Sequence, residues 1–292
     1  MRWPRRPVAP GREIAPGYEV VEHLRRGKAL DVYDVWSEER ACRCVVKALR
    51  PNRLRDERSR RQLLTEGRLL CSLTHPHIVR AYEVREEPVP LVVMETLVGE
   101  TLAHMIEERD AALTVEQLAH LGLHLGSAIR YLHAHGHLHL DLKPSNVISE
   151  CGRAKLIDLS VARPPGQAPA GVGTWCYLAP EQARGGELGA AADVWGIGVV
   201  LFEAATGRAA FDDDSKAAGD DEYPQLTQPA PRVEELRSLP REFGDLVAAC
   251  LEPDPGSRPG LTELMASLEP LAGLPAAERH VGRRAASRPY SM

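Results

Sequence analysis

No stretch of this chain is long and apolar enough to span a bilayer, which takes about 18–20 such residues. The best candidate, Ile197 to Phe202, reads as the core of a buried helix. A basic excess is missing as well. Lys and Arg total 36 against 41 Asp and Glu, a formal net charge of −5 at pH 7, whereas nucleic acid or an anionic membrane attracts a basic footprint. Neither is expected as a partner. The N-terminal MRWPRRPVAPGR is basic but leads into no apolar stretch, so no secretory signal is expected. The six cysteines (Cys42, Cys44, Cys71, Cys151, Cys176, Cys250) have no paired spacing. They read as reduced, mostly buried thiols of a cytosolic protein. Cys42 and Cys44 share one strand face, a plainer reading than a zinc knuckle. There is no internal repeat. Lysine is scarce, with 5 against 31 arginines, so a lysine kept against that bias invites inspection.

What is present is a chain of 292 residues, 43% hydrophobic and 26% charged, long enough for two lobes that each bury a core. Residues 1–17 are rich in Pro and Arg without periodicity and predict a flexible arm. Period-2 runs then predict strands over 18–25, 31–36, 42–49, 77–84 and 90–95, with a helix over 55–73 carrying Leu63, Leu64, Leu69, Leu70 and Leu73 on one face. This makes a small α+β lobe over residues 18–96. A mainly helical lobe follows over 97–271. Helices are expected at 114–135, 190–205, 239–252 and 260–270, around a loop-dense stretch from 136 to 190. Residues 272–292 thin into a polar tail. The acidic stretch 212–222 reads as solvated surface.

One stretch gathers chemistry. His139-Leu140-Asp141-Leu142-Lys143-Pro144-Ser145-Asn146 offers a carboxylate, an ammonium and an amide within six residues. A carboxylate can orient and deprotonate a hydroxyl, an ammonium can neutralise a moving phosphate, and an amide oxygen can hold Mg²⁺. Beyond it, Lys155-Leu156-Ile157-Asp158 is a short apolar strand ending in a natural second ligand for a hard cation.

These residues and their neighbours resemble the eukaryotic-type protein kinases, in the bacterial Hanks-type serine/threonine branch. CVVK resembles V-A-I-K and implies that Lys47 holds the α/β-phosphates. TEGRLLCSLTHPHIV resembles the C-helix, implying that Glu66 pairs with Lys47. HLDLKPSN resembles the catalytic loop, with Asp141 as catalytic base, Lys143 on the γ-phosphate and Asn146 on the metal. Asp158 takes the DFG aspartate position, so Asn146 and Asp158 are the expected metal ligands. GTWCYLAPE resembles the end of an activation segment, Arg258 the arginine that pairs with its Glu181, and Asp193 the F-helix aspartate that braces the catalytic loop. The resemblance further implies Met94 as gatekeeper, backbone contacts from Glu95 and Leu97, a roof of Val32 and Val45, a floor of Ile148, and Gly27 at the phosphates.

Taken singly, a strand lysine is usually surface and a loop aspartate usually a turn former. Here the set occurs in the required order, and two of the five lysines fall at 47 and 143, where a compact ammonium suits a phosphate pocket better than a planar guanidinium. Lys143 two residues after the base, with Thr174, resembles the serine/threonine pattern. The implied fold is a bilobal α+β kinase fold with a five-stranded antiparallel N-lobe sheet and a C-helix. The implied function is transfer of the γ-phosphoryl group of ATP, with Mg²⁺ or Mn²⁺, to Ser or Thr of protein substrates by a cytoplasmic enzyme.

Three departures bear on that expectation. G-x-G-x-x-G-x-V reads Arg25-Arg26-Gly27-Lys28-Ala29-Leu30-Asp31-Val32, with Gly27 alone retained. DFG reads Asp158-Leu159-Ser160. The arginine of HRD is Leu140, while residues 161–173 hold no Ser, Thr or Tyr. Phosphate receptor and phosphosite are absent together, so activity is expected not to depend on activation-loop phosphorylation. The first two departures favour the rival expectation, a pseudokinase acting as a nucleotide-binding scaffold. His133, His135, His137 and His139 alternate, but they straddle a helix end and read as structural rather than as a metal site. A tail hydroxyl, Ser287, follows Arg283 and Arg284, and a tail without a role is the simpler reading.

Overall fold

The computed structural model describes residues 6–108, 112–211 and 223–274. The acidic stretch 212–222 and Ser287 lie outside them. The chain divides into two compact units, one built from residues up to Val98 together with Ile157–Val161, the other from Gly99–Leu156 and from Ala162 on.

In the first unit, β1 (Glu13–Ala15), β2 (Tyr18–Arg26), β3 (Leu30–Ser37), β4 (Cys42–Leu49), β5 (Ala81–Arg85) and β6 (Leu91–Glu95) form one antiparallel sheet in the order β1-β2-β3-β4-β6-β5. The alternation in the sequence decides its two faces. Val20 pairs with Val35 and Val35 with Cys44. With Tyr18, Tyr33, Val46, Leu91 and Val93 they build a core on one face. The other parity places Val32 opposite Lys47 and Lys47 opposite Val92, with Val45 opposite Met94 in the next rung. Helix α1 (Glu57–Ser72) is started by Asp56, whose carboxylate accepts the Ser59 amide at 3.1 Å, and buries Leu63, Leu64 and Leu70.

Two expectations need correction here. The sheet has six strands instead of five, because part of the expected arm over 1–17 is ordered. Val8, Ile14 and Ala15 are buried in the sheet core, and Val20 exchanges backbone hydrogen bonds with Gly11 and Arg12. Three apolar residues in a Pro/Arg-rich stretch leave no periodic signal, yet they cover an apolar sheet face. Residues 157–161, expected within the helical lobe, pack with the first unit, because Lys47 reaches the Ile157 carbonyl at 3.2 Å and Gln62 the Ser160 carbonyl at 3.0 Å.

The second unit contains β7 (Glu100–Thr101), α2 (Leu102–Glu108), α3 (Val115–Ala134), β8 (Val147–Glu150), β9 (Arg153–Leu156), β10 (Gly166–Ala168), α4 (Pro180–Arg184), β11 (Gly186–Leu188) and α5 (Ala190–Thr206), followed by helices that include Arg241–Cys250 and Leu261–Leu268. A reciprocal capping box between Thr114 and Gln117 starts α3. Helix α5 is buried almost all round, from Ala192 to Phe202 without a break, which is the pattern of a central helix. The stretch expected to be mostly loop holds four short strands, β8 and β9, which form a sheet with β7, and β10 and β11, which pair with each other. These strands are too short to show a period. Among the described residues no helix is long and apolar enough to cross a membrane.

Replacing Ile14 by Ala is expected to cost ~2–4 kcal/mol in urea unfolding, the range for a truncated core aliphatic. A mobile arm would give no change.

Candidate active site

In the first unit, the spacing of β4 and the start of α1 brings three charges together. Lys47 Nζ donates to Glu66 Oε1 at 2.7 Å and to Asp158 Oδ2 at 3.3 Å. Gly67 makes this reach possible. A Cβ there would sit 2.5 Å from Val92 Cγ2 and 2.7 Å from Val84 Cγ2, so only glycine lets α1 lie this close to the sheet. Burial pushes the Lys47 ammonium down, but the two carboxylates outweigh it and its pKa is raised. Burial also drives Glu66 up, against the pull of Lys47. For Asp158 burial is outweighed by the Lys47 charge and by hydrogen bonds from Ser160, which hold the carboxyl down at about 2. At neutral pH it is an ionised oxygen donor. Val32, Val45, Lys47 and Met94 share one face of the sheet. Glu95 donates its amide to the Arg80 carbonyl, and its side chain accepts the Arg80 amide. Leu97 follows, half-buried, beyond the strand end.

Leu159 is buried, as the phenylalanine it replaces would be, and its amide points at Glu66 Oε1, 3.4 Å away. Ser160 does not occupy the left-handed region of backbone space, so this conformation does not require the missing glycine.

The hairpin carrying Gly27 is held by side chains. Arg26 and Asp31 face each other across its last rung and form a two-pronged ion pair of 2.9 and 3.1 Å. His23 reaches the same carboxylate, and Tyr33 donates to it while accepting the Val8 amide. Arg50 donates to the carbonyls of Gly27 and Lys28 at 2.9 and 3.2 Å. Burial drives the Asp31 carboxyl up, but hydrogen bonds from Arg26 and His23 outweigh it, so its pKa lies below the ordinary carboxylate range. Nothing in the spacing of the sequence marks Asp31, since an acidic residue on a strand usually faces solvent.

In the second unit, Asp193 at the start of α5 accepts the His139 and Leu140 amides, both at 2.8 Å, and the His133 ring at 2.7 Å. The loop that follows converges on Asp141. Lys143 Nζ donates to its Oδ2 at 2.9 Å and Thr174 Oγ1 to its Oδ1 at 2.6 Å. Lys143 also donates to Thr174 Oγ1 at 2.5 Å. Asn146 Nδ2 donates to the Asp141 carbonyl and to Oδ2, which leaves Oδ1 as the atom able to hold a cation. Ile148 stands in β8 opposite Thr101. The rings of His135 and His137 contact the carbonyls of Tyr131 and His135.

The activation segment is tied down by backbone. Leu138 and Arg163 form a β-bridge, β10 pairs with β11 over three residues, and the Gly171 amide donates to the Gln182 carbonyl at 2.8 Å. At its end Glu181 takes a two-pronged ion pair from fully buried Arg258, at 2.7 and 2.8 Å. Each unit thus offers an oxygen donor suited to a hard divalent cation, the ionised Asp158 in the first and the Asn146 carbonyl oxygen in the second.

A family model described as the protein kinase domain matches residues 18–268. The chain is 31% identical over 260 residues to a probable serine/threonine-protein kinase, SCO3848, of Streptomyces coelicolor, covering 85% of this chain and 38% of the relative. It is 33% identical over 218 residues to a probable serine/threonine-protein kinase, PknB, of Lactococcus lactis, covering 71% of this chain and 34% of the relative. The chain thus spans just over a third of the length of these curated relatives. Among solved structures, the PknI kinase domain of Mycobacterium tuberculosis superposes with a TM-score of 0.72 at 23% identity, over 92% of this chain and all of that one. That likeness is one of fold, a bilobal α+β arrangement with an antiparallel sheet in the first lobe.

Asp31→Asn should lower thermal stability at neutral pH. A carboxyl held below its ordinary value contributes in full above about pH 4 and loses that contribution as the pH falls further. The Tm difference between wild type and variant is therefore expected to shrink as the pH falls below about 4. A difference that grows below that pH would contradict the ion pair.

Proposed function

The chain belongs to the protein kinase family, and from that premise we propose that it transfers the γ-phosphoryl group of ATP to Ser or Thr hydroxyls of proteins, without a need for activation-segment phosphorylation. The observation that carries this is the closed set Asp141, Lys143, Asn146 and Thr174, in a chain whose 161–173 segment has no residue to phosphorylate.

Asp141 orients the acceptor hydroxyl and takes its proton as the oxygen attacks the γ-phosphorus and the bond to the ADP oxygen breaks. Lys143 offsets charge on the transferring group. In the first unit, Lys47 holds the α- and β-phosphates, kept charged by Glu66 and Asp158. Val32, Val45 and Met94 line the adenine side with the backbone of Glu95 and Leu97, Ile148 contributes the floor, and Gly27 approaches the phosphates. A divalent ion, Mg²⁺ or Mn²⁺, held by Asp158 and Asn146 would supply neutralisation of phosphate charge. Thr174 is no free acceptor, because its hydroxyl is engaged by both Asp141 and Lys143. This reading places the domain in the cytoplasm, in keeping with six free thiols.

A second reading has a specific observation in its favour. The hairpin keeps Gly27 but has Arg25 and Leu30 where backbone access to phosphate would want glycine. In that case the chain is a nucleotide-binding scaffold.

Labelled phosphate from γ-labelled ATP and Mg²⁺ should enter the chain itself or a generic basic protein, and Asp141→Asn should lower the rate by about 10²–10⁴-fold. Prior phosphatase treatment should leave the rate unchanged. A nucleotide-induced rise in Tm with no transfer would select the scaffold, and stoichiometric activating phosphate on Thr174 would remove the claim of independence.

A further inference from the structure

Besides Thr174 and Lys143, the catalytic loop is joined to the activation segment by Gln182, a residue with no assigned role. The residue is 2% exposed. Nε2 donates to the Leu140 carbonyl at 2.8 Å and to the Val172 carbonyl at 2.7 Å, while Oε1 accepts the Ala179 amide at 3.1 Å. A carboxamide is the side chain that offers two N–H donors and an acceptor in one plane, and here all three are used. Its own carbonyl accepts the Gly171 amide.

The two carbonyls it holds are placed to matter. Leu140 directly precedes Asp141, and Val172 lies two residues before Thr174, whose hydroxyl meets Asp141. Between them is Gly173, at φ +124°, where a Cβ would lie 2.6 Å from the Leu140 carbonyl oxygen and 3.3 Å from Gln182 Nε2. The two segments therefore touch backbone to backbone at this point, and the Gln182 carboxamide reaches a carbonyl of each. Leu140 itself sits at φ +64°, a conformation that a branched residue keeps only when its surroundings impose it. Asp193 grips its amide from one side and Gln182 its carbonyl from the other.

We propose that Gln182 is a positioning residue that clamps the catalytic loop to the activation segment, doing by neutral hydrogen bonds what an arginine–phosphate contact would do. Leu140 is a buried hydrocarbon that can receive no phosphate, and 161–173 supplies none, so the tie must come from a group that is always present. This rests on the transfer reading above and extends it to how the site is kept assembled. Gln182 touches no reacting atom; it acts through Leu140 and Val172 on Asp141 and Thr174.

The test compares wild type with Gln182→Met, which keeps the shape and loses both donors, and Gln182→Glu, which keeps the acceptor but turns oxygen toward two carbonyls. For folded variants, kcat should fall about 10–100-fold, the scale of a misplaced catalytic group, with KM for ATP unchanged. Amide hydrogen exchange at 140–141 and 171–174 should quicken while α3 and α5 stay protected. Either folded variant with kcat within two-fold of wild type and unaltered exchange would overturn the proposal. So would failure of both variants to fold, which would make Gln182 a core residue only. An inactive wild type would end the transfer reading instead, and the exchange pattern would still decide on Gln182.

Discussion

The second unit is organised around the carboxylate of Asp193. Two consecutive backbone amides, those of His139 and Leu140, point at it, and the His133 ring closes the third side. Pinning two neighbouring amides to one group on a buried helix fixes the peptide plane between them and forces Leu140 through the left-handed region. The chain then leaves in the direction that brings Asp141 to Lys143, Asn146 and Thr174. A carboxylate on a loop needs this kind of support to be held in place, because a loop alone does not hold a side chain to within about half an ångström.

The first unit solves a different problem, keeping an ammonium charged where water is scarce. Lys47 has two carboxylates within 3.3 Å, and the cost of burial is divided unequally between them. Glu66 is driven up and Asp158 down to about 2. The more acidic partner is thus the one with the chemistry of a metal ligand. A guanidinium would place a wide planar fork where a single point charge meets three oxygens, which accounts for a lysine surviving here in an arginine-rich chain.

Where the chain lacks a familiar residue, another side chain takes over a backbone duty. Glycines absent from the first hairpin are offset by Arg26–Asp31 across the rung and by Arg50 under the turn. Asp31 in turn is linked through Tyr33 to Val8, so the ordered N-terminal segment and the hairpin belong to one hydrogen-bonded system. Ser160 needs no replacement device, because its backbone stays outside the left-handed region.

The sequence by itself determined the order of the candidate reactive groups and most long elements. Period-2 runs marked β2, β3 and β4, the leucine face marked α1, and Lys47, Glu66, Asp141, Lys143, Asn146, Asp158 and Asp193 stood at recognisable spacings. These signals are local, each carried by residues that are neighbours on one strand, helix turn or loop. Tertiary structure alone decided the rest. Ile14 became a strand residue because an apolar sheet face was there to be covered. Residues 157–161 joined the first unit because Lys47 and Gln62 bind their carbonyls. Gln182 acquired its importance from two backbone oxygens that only folding brings within reach of one carboxamide. A hydrogen bond between a side chain and a distant carbonyl leaves no periodicity and no charge pattern, since every residue type carries the same carbonyl.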